Sequence, residues 1–416
     1  MINRLARAIV LAFMRRIHPG RLTIIEGQRR IELGEPNDIA ATMTIVAPQA
    51  WRAFLRGSYG LATSYVDGEW EGDNLVALTR IAARNVVGID RLRARLAPVR
   101  HPVQRLARRV HAPTIRRSRR QIAAHYDLGN DLFALFLDQT LSYSAGIFES
   151  PETTMYEASI AKLDAVCRRL DLGPDDHVLE IGTGWGGFAI HAASRYGARV
   201  TTTTISQRQY ELARERVREA GLEDRITLLL KDYRELEGSY DKLVSIEMIE
   251  AVGWQYFETY FRCCSELLKP EGAMLLQAIT IADSAYEVEK GGRSFVNTLI
   301  FPGGCLPSIA VIDRCLRTDT DMVRVRHDDM TQNYVRTLQC WLERFENATA
   351  ELAGRGYDER FRRLWKLYLS YSEGGFAERR IRVGQFLLAK PGFRPGARPA
   401  RISEPAHAFA AGARPD

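Results

Sequence analysis

The 416-residue sequence lacks any apolar run close to the roughly 18 residues that a membrane-spanning helix needs. Its longest N-terminal candidate, Ala8 to Met14, is flanked by arginines, and no small-residue cleavage site of a secretory signal follows it. The six cysteines form no C-x-x-C pair and have no histidine at ligand spacing, so neither a zinc site nor a disulfide framework is indicated. We therefore expect a cytoplasmic protein with free thiols.

Residues 84–120 contain no lysine and a single acid, Asp90, but twelve arginines, so the segment has a net charge of 12 − 1 = +11. The whole chain has a net charge of +7, which leaves 7 − 11 = −4 for the rest. Such a run is often a solvated linker, and its two candidate partners are nucleic acid and anionic phospholipid. The segment lacks the interleaved aromatic residues on which bases stack, which favours lipid.

An apolar strand runs into a glycine-rich turn at residues 178–187, which read Val-Leu-Glu-Ile-Gly-Thr-Gly-Trp-Gly-Gly. Gly182, Gly184 and Gly186 let backbone amides approach a bulky ligand, and the helix expected after them points its N-terminus at the same place. The turn also satisfies the dinucleotide motif G-x-G-x-x-G, so the glycines alone leave both cofactors open. The next strand, at 200–206, carries no acid to hold a dinucleotide ribose, which favours S-adenosylmethionine.

Strands and helices alternate along the middle of the chain, at lengths typical of a doubly wound, mostly parallel sheet. We predict helices at 157–170, 188–196, 207–220 and 256–268, and strands at 177–181, 199–204, 226–230, 242–246 and 273–281. Leu268 to Gly272 indicate a helix stop and a turn before the last strand. In open sheets of this kind the ligand binds at the carboxyl ends of the strands. Those ends carry Gly182, Thr204, Asp232 and Glu250.

The N-terminal part of the chain predicts a small α+β domain that begins with a helix over residues 1–17. This helix would carry Ile2, Leu5, Ile9, Ala12 and Phe13 on one face and Arg4, Arg7 and Arg15 on the opposite face. A basic amphipathic helix either lies on a membrane surface or packs on the body of the protein.

Several further motifs accompany the glycine loop. They are His125-Tyr-Asp-Leu-Gly-Asn-Asp-Leu-Phe133, Leu141-Ser-Tyr-Ser144, Thr204-Ile-Ser-Gln-Arg-Gln209, Lys231-Asp-Tyr-Arg234, Phe301-Pro-Gly-Gly-Cys-Leu-Pro307 and Trp341-Leu-Glu-Arg-Phe345. In this order they resemble the cyclopropane fatty acid synthase family, which includes the mycolic acid methyltransferases. The resemblance extends from about His125 to Lys390. The N-terminal domain resembles that of the longer members, which act on membrane phospholipids.

The resemblance implies an α/β fold of the class I S-adenosylmethionine-dependent methyltransferases, with a Rossmann-like doubly wound sheet. It also implies transfer of a one-carbon unit to the cis double bond of an unsaturated fatty acyl chain in a phospholipid, giving a cyclopropane through a carbocation. By carry-over, Tyr143 and Ser144 close over the cofactor's methionine end, Thr204 and Gln209 flank its ribose, and Asp232 and Tyr233 hold its adenine. The implied cradle consists of Val178, Leu179, Glu180, Ile181, Gly182, Thr183, Gly184, Trp185 and Gly186.

The resemblance also implies a base, which in the family is a bicarbonate ion held by Cys, Glu, His and Tyr side chains and a backbone group of Ile. Glu250, Tyr334 and Ile279 fall on three of these positions. Ala145 stands at the cysteine position and Gln277 at the histidine position, so the chain departs from the family's pattern there.

Two further departures are Ser372, where a late cysteine is found in the family, and Ala251, where a histidine is usual. Three interpretations follow. Bicarbonate still binds weakly to the remaining cage side chains, and a cyclopropane forms. Alternatively, Glu250 or Glu149 takes the proton directly after a hydride shift, giving a methylene or methyl-branched chain that a separate reductase finishes. In the third interpretation the enzyme is inactive.

The candidates for the lining of an acyl channel are Phe133, Phe136, Phe148 and Phe301, and those for stabilising the carbocation are Tyr334, Trp254 and Phe301.

The predicted partner is an unsaturated phospholipid at the inner face of the membrane. Nucleic acid is not an expected partner, and a second copy of the chain, in a homodimer, is a further candidate. A methyltransferase for a soluble small molecule would leave the basic segment unexplained. A non-enzymatic lipid-binding protein that keeps the cofactor site as a relic would bind the cofactor without turnover.

We predict an N-terminal domain at 1–90, a basic linker at 91–120, a catalytic domain with an acyl-chain insertion at 121–392 and a disordered tail at 393–416.

Overall fold

The computed structural model describes residues 2–35, 38–86 and 129–394, so the basic linker and nearly all of the predicted tail lie outside the described residues. The chain divides into two compact units. The first takes in the described parts of 1–111, 284–302 and 338–381, and the second those of 112–283, 303–337 and 382–416. Across the described ranges, no helix combines the length and the apolar character needed to cross a bilayer. The division into four segments expected from sequence stays a prediction.

The first part of the chain forms an α+β arrangement, as the sequence predicts. Its elements are α1 (Ile2–Met14), β1 (Gly20–Glu26), β2 (Arg29–Glu35), β3 (Ala40–Ile45), α2 (Ala50–Phe54), α3 (Gly57–Val66), β4 (Trp70–Gly72) and α4 (75–86). The strands form one sheet in the order β2-β1-β3-β4, in which β1 and β3 are parallel and the two outer pairings are antiparallel. Alternating apolar residues of these strands, such as Leu22 and Ile24, are buried together with Trp51 and Trp70.

Helix α1 exposes its most apolar face. The exposed large side chains are Ile2, Leu5, Ile9 and Phe13, at 66%, 65%, 49% and 52% of their possible area. The buried residues of the helix are Ala6, Val10 and Leu11. Arg7 forms an ion pair with the body of the protein, because its Nε donates to Glu26 Oε2 at 2.8 Å. The predicted helix is therefore present, but its packing face is not the apolar stripe that the sequence suggested.

The middle of the chain alternates strands and helices. Its elements are α5 (Asn130–Phe136), α6 (Met155–Arg169), β5 (His177–Ile181), α7 (Gly187–Tyr196), β6 (Arg199–Thr203), α8 (Gln207–Glu219), β7 (Ile226–Leu229), β8 (Tyr240–Ile246), α9 (Ile249–Val252), α10 (Phe257–Glu266) and β9 (Leu268–Ile281). The last part contains α11 (Asp283–Gly291), α12 (Ile309–Asp319), β10 (Val323–Asp329), α13 (Thr331–Asn347), α14 (Thr349–Gly354), α15 (Glu359–Ala377) and β11 (Ile381–Ala389). A π-helical turn, Val296–Ile300, lies between α11 and α12.

The second unit contains a seven-stranded sheet in the order β10-β11-β9-β8-β5-β6-β7. The pairings among β9, β8, β5, β6 and β7 are all parallel, which confirms the predicted doubly wound sheet. Val178, Val200 and Val244 on neighbouring strands are buried in one core with the helices α6 and α7. Because β5 is central, its carboxyl end meets those of β6 and β8 at one edge of the sheet.

The predicted turn at Leu268 to Gly272 is wrong, since β9 already begins at Leu268. The pairing with β8 shifts from Tyr240↔Leu268 to Lys242↔Ala273, so the intervening residues bulge out of that ladder. Their carbonyls find other donors: Lys390 N donates to Gly272 O and Gly392 N to Pro270 O, each at 3.0 Å. These bonds keep a Pro-Glu-Gly segment extended although its composition favours a turn.

Candidate active site

A pocket opens in the second unit at the carboxyl ends of β5, β6 and β8. It brings together most of the residues predicted to bind the cofactor. These are Tyr143, Ser144, Glu180, Ile181, Gly182, Thr183, Gly184, Trp185, Thr204, Gln209, Asp232 and Tyr233. Three of the predicted residues do not line it: Val178 and Leu179 point into the core from β5, and Gly186 is the N-cap of α7.

The glycine loop turns the chain from β5 into α7 through backbone conformations that favour glycine. Gly182, Gly184 and Gly186 have φ values of 105°, 52° and 87°. The amides of Gly182 and Thr183 both donate to the Thr203 carbonyl at 3.0 Å, which ties the loop to the end of β6. A Cβ added to Gly184 would meet nothing within 4 Å, so the chain leaves open space beside this residue.

Hydrogen bonds among buried side chains of β5, β6 and the glycine loop also hold this loop in place. Thr202 donates to Glu180 Oε2 at 2.6 Å, and the hydroxyls of Thr183 and Thr202 lie 2.6 Å apart. Burial raises the pKa of Glu180 to about 8, against the hydrogen bond from Thr202 and the charge of Lys162, which both lower it. The loop that carries the glycines is thus held by its side chains as well as by its backbone.

Lys162 lines the same pocket although the sequence analysis did not select it. Its Nζ donates to Ser144 Oγ at 2.9 Å, and the side chain is 2% exposed. Burial lowers the pKa of Lys162 to about 8, opposed by the negative charges of Glu247, Asp138 and Glu180. The sequence did hold a signal, because Ala158, Lys162 and Val166 share one face of α6 and the other two are plainly apolar.

The other end of the pocket is ordered by short-range side-chain bonds. Thr204 Oγ1 donates to Gln209 Oε1 at 2.9 Å, which fixes the two predicted ribose neighbours together. Asp232 is held by Arg234, whose Nε and Nη2 donate to its two oxygens at 2.7 and 2.8 Å. The Tyr233 hydroxyl is buried and has no hydrogen-bond partner among the described residues, and burial raises its pKa.

The aromatic residues proposed for an acyl channel have other positions. Phe133 and Phe136 are fully buried and pack with Tyr143 and Trp185, with Phe133 4.8 Å from the Trp185 ring centroid. The Arg336 guanidinium lies over the ring of Phe148. Phe301 lies in the first unit, where it packs against Tyr368, and Trp254 opens a 3₁₀ turn. None of these five predicted residues lines the pocket, and Phe133 and Phe136 belong to the buried core.

Glu247 lies at the centre of a polar cluster that the sequence analysis missed. It is the first residue after β8, and it lines the pocket with a φ of 48°. Ala145 N and Gln277 Nε2 donate to its Oε1 at 2.9 and 2.8 Å, and the Tyr334 hydroxyl donates to its Oε2 at 2.8 Å. Burial raises the pKa of Glu247, against these three hydrogen bonds. The available signal was its place, since the residue after a central strand lies at the ligand edge.

Glu250 and Ile279 come together as the sequence predicts, but beside Glu247 rather than around an ion. Ile279 N donates to Glu250 Oε1 at 2.5 Å. Glu250 Oε2 is buried and has no partner among the described residues. Burial, and next the charge of Glu247, raise the pKa of Glu250 to about 8, which favours its protonated form.

The residues that line the pocket include none of the five predicted catalytic residues, which are Glu250, Tyr334, Ile279, Glu149 and Ser372. Glu149 is exposed in the loop before α6 and does not line the pocket, which corrects its assignment as a base. Ser372 lies in α15 of the first unit. Among the residues that the structure describes, no group of His, Cys, Asp and Glu side chains could hold a metal ion.

Bicarbonate does not fit the residues present. Among the cage positions, the Tyr334 hydroxyl and the Gln277 side chain donate to Glu247, and the backbone of Ile279 donates to Glu250. The backbone amide of Ala145 also donates to Glu247. Gln277 has no freedom to turn toward a second anion, because its Oε1 accepts from Gln385 Nε2 at 2.9 Å. The donors around Glu247 are therefore not available to a bicarbonate ion.

Comparisons with known proteins indicate the same family that the sequence motifs resemble. A family described as mycolic acid cyclopropane synthetase matches residues 114–386. The chain is 38% identical to the tuberculostearic acid methyltransferase UfaA1 of Mycobacterium tuberculosis, over 81% of this chain and 80% of that protein. It is 36% identical to the cyclopropane-fatty-acyl-phospholipid synthase of Escherichia coli strain K12, over 84% of this chain and 87% of that protein. The solved mycolic acid cyclopropane synthase CmaA1, complexed with SAH and CTAB, superposes with a TM-score of 0.61 at 29% identity, over 65% of this chain and 98% of that one.

Proposed function

This chain belongs to the mycolic acid cyclopropane synthetase family, and on that premise we propose that it alkylates the cis double bond of unsaturated acyl chains in phospholipids. It is an S-adenosylmethionine-dependent methyltransferase. The observation that supports the proposal best is a glycine-loop pocket whose wall includes the carboxylate of Glu247. When a methyltransferase alkylates a hydroxyl or an amine, the substrate loses a proton from that heteroatom. An alkene has no such proton, so a base beside the pocket has to take one from carbon.

The residues present fit S-adenosylmethionine. Gly184 leaves open space in the loop, and α7 directs its N-terminal amides toward the pocket, where they suit the carboxylate of the cofactor's methionine end. Tyr143 and Ser144 would cover that end, and Asp232 and Tyr233 would hold the adenine. When bound, the cofactor supplies a methyl group on a positively charged sulfur. The chain's part is to hold that methyl against the acyl chain and to keep water out.

The cation that forms can lose its proton in two ways, and each has support. Ring closure gives the cyclopropane, which is the product named for the Escherichia coli relative and for the matching family. A hydride shift before proton loss gives an exocyclic methylene, which a separate reductase would convert to a methyl branch. The rebuilt cluster around Glu247 and the similarity to a tuberculostearic acid methyltransferase favour this second product.

We expect the purified protein, incubated with S-adenosylmethionine and vesicles of cis-monounsaturated phospholipid, to add one carbon to the acyl chains. NMR of the extracted acyl chains distinguishes the products, because ring protons lie far upfield and exocyclic methylene protons lie in the olefinic region. A saturated phospholipid is the matched control and gains no carbon. Lipid that gains no carbon, while the protein binds the cofactor, would contradict the proposed substrate.

We propose that the exposed face of α1 holds the enzyme on the inner surface of the membrane. Ile2, Leu5, Ile9 and Phe13 form an apolar stripe about three turns long. Exposed Arg4, Arg15 and Arg16 lie in or next to the helix, where they complement anionic head groups. A substrate inside a bilayer requires such contact, because the acyl chain has to reach the pocket from the lipid.

Replacing two stripe residues with acids, in the double variant Leu5→Glu and Ile9→Glu, is expected to weaken vesicle binding by about tenfold or more. Co-sedimentation with vesicles containing anionic phospholipid measures the effect. Val46→Glu is the matched control, because Val46 is also an exposed apolar residue, at 61%, but lies outside the stripe. Unchanged vesicle binding would refute membrane docking, and a change from dimer to monomer in solution would assign the face to a homodimer.

A further inference from the structure

Glu247 is held in a backbone conformation that disfavours its side chain. A φ of 48° places it in the left-handed region, which residues with a Cβ rarely adopt. Such outliers persist where the surrounding structure requires them, and they cluster at functional sites. Here the conformation lets the chain leave β8 while the Glu247 carboxylate stays at the pocket wall.

Three donors from separate segments converge on this one carboxylate. Ala145 belongs to the loop between α5 and α6, Gln277 to β9, and Tyr334 to α13. Gln277 and Tyr334 are almost completely buried, so their polar groups would be costly to leave without a partner. The cluster is built for an anion, and the chain itself provides that anion.

The neighbouring acid makes the assignment of charge clear. Glu247 accepts three hydrogen bonds, each of which favours its ionised form, whereas Glu250 accepts one at Oε1 and leaves Oε2 without a partner. The charge of Glu247 acts on Glu250, so the two carboxyl groups titrate as a coupled pair, and the one that accepts more hydrogen bonds carries the charge. Glu247 is therefore the ionised member and Glu250 the protonated one.

We propose that Glu247 is the base that removes the proton from the alkylated acyl chain, in the place of an external anion. The inference rests on the proposed function. The π electrons of the alkene form the new bond to the methyl carbon while the sulfur keeps the electron pair of the bond that breaks. Glu247 then takes a proton from that methyl group, and the C–H electron pair closes the ring or, after a hydride shift, forms the exocyclic double bond. The carboxylic acid returns its proton to solvent when the pocket opens for release of the product.

The test compares wild type with Glu247→Gln and Glu247→Gly in buffer freed of carbon dioxide, with and without added bicarbonate or formate. Wild type is expected to work equally well in both buffers. Glu247→Gln is expected to lose about 100-fold or more of the rate and to stay inactive when bicarbonate is added, because the amide still fills the site. Glu247→Gly removes the side chain, and its backbone suits a φ of 48°. Added bicarbonate or formate should therefore restore activity about tenfold in this variant, by occupying the vacated donors.

Calorimetric titration with S-adenosylmethionine checks whether the variants still fold and bind the cofactor. Glu223→Gln is the matched control, because Glu223 is exposed and does not line the pocket. A wild-type rate that depends on bicarbonate, or a Glu247→Gln variant that keeps its rate, would overturn the inference. If wild type itself adds no carbon to lipid, the proposed function fails instead, so the two failures are distinguishable.

Discussion

Replacing Gly182 with valine is expected to abolish most binding of S-adenosylmethionine. Gly182 has a φ of 105°, and a Cβ built there lies 3.2 Å from Met248 Cγ. The strained backbone alone costs about 1–3 kcal/mol, and the displaced loop also loses the amides that face the ligand. Together these effects predict a loss of affinity of about 100-fold, equivalent to about 2.8 kcal/mol. Calorimetric titration with S-adenosylmethionine measures the dissociation constant directly.

Gly221→Ala is the matched control for Gly182→Val. Gly221 also has a positive φ, of 64°, but it follows α8 and a Cβ there meets nothing within 4 Å. Its substitution lowers stability and leaves cofactor affinity unchanged. If Gly182→Val binds the cofactor as tightly as the control does, the glycine loop is not the cofactor cradle.

The variant Lys162→Met is expected to move the pH dependence of turnover upward by about one unit. The positive charge of Lys162 lowers the pKa values of both Glu247 and Glu180, so its removal raises them. The ionised fraction of Glu247 at neutral pH then falls, and the rate at neutral pH falls with it. A profile of kcat against pH measures the shift, and raising the pH should recover the lost activity.

Lys269→Met serves as the control for the loss of a lysine. Lys269 pairs with Asp241 at 2.7 Å and does not line the pocket, so its removal leaves the pH profile in place. A Lys162→Met variant with lower activity at every pH, and no displacement of the profile, would assign Lys162 a purely structural role. The displacement separates an electrostatic role from a packing role.

Five of the seven strands of the second unit, β5 to β9, could be predicted because their signals are local, whereas β10 and β11 were not predicted. Strands β5, β7 and β9 contain short apolar runs, β6 is rich in β-branched residues, and the glycine loop marks the carboxyl end of β5. The grouping in the first unit could not be predicted in this way. Arg363 donates to the Tyr65 carbonyl, and Arg80 pairs with Glu378, across nearly 300 residues of sequence. No local pattern encodes such long-range pairs.

The site was predictable where a residue type repeats a known pattern, and not where a substitution changes the role of its neighbours. Ala145 and Gln277 were identified as departures from the family's pattern, and they suggested a damaged cage because each was considered without Glu247. Only the geometry shows that the Ala145 amide and the Gln277 side chain bind the same carboxylate oxygen. Glu149 was the opposite case, since a plausible acid in sequence proved to be exposed.

A tethered carboxylate changes the thermodynamic character of the site. A diffusible ion occupies its site according to its concentration and its dissociation constant, and it competes with other anions of similar size. The Glu247 carboxylate is joined to β8 by the chain, so its local concentration is set by geometry and is the same in every medium. The entropy lost on immobilising an anion is lost once, when the protein folds, rather than in every catalytic cycle.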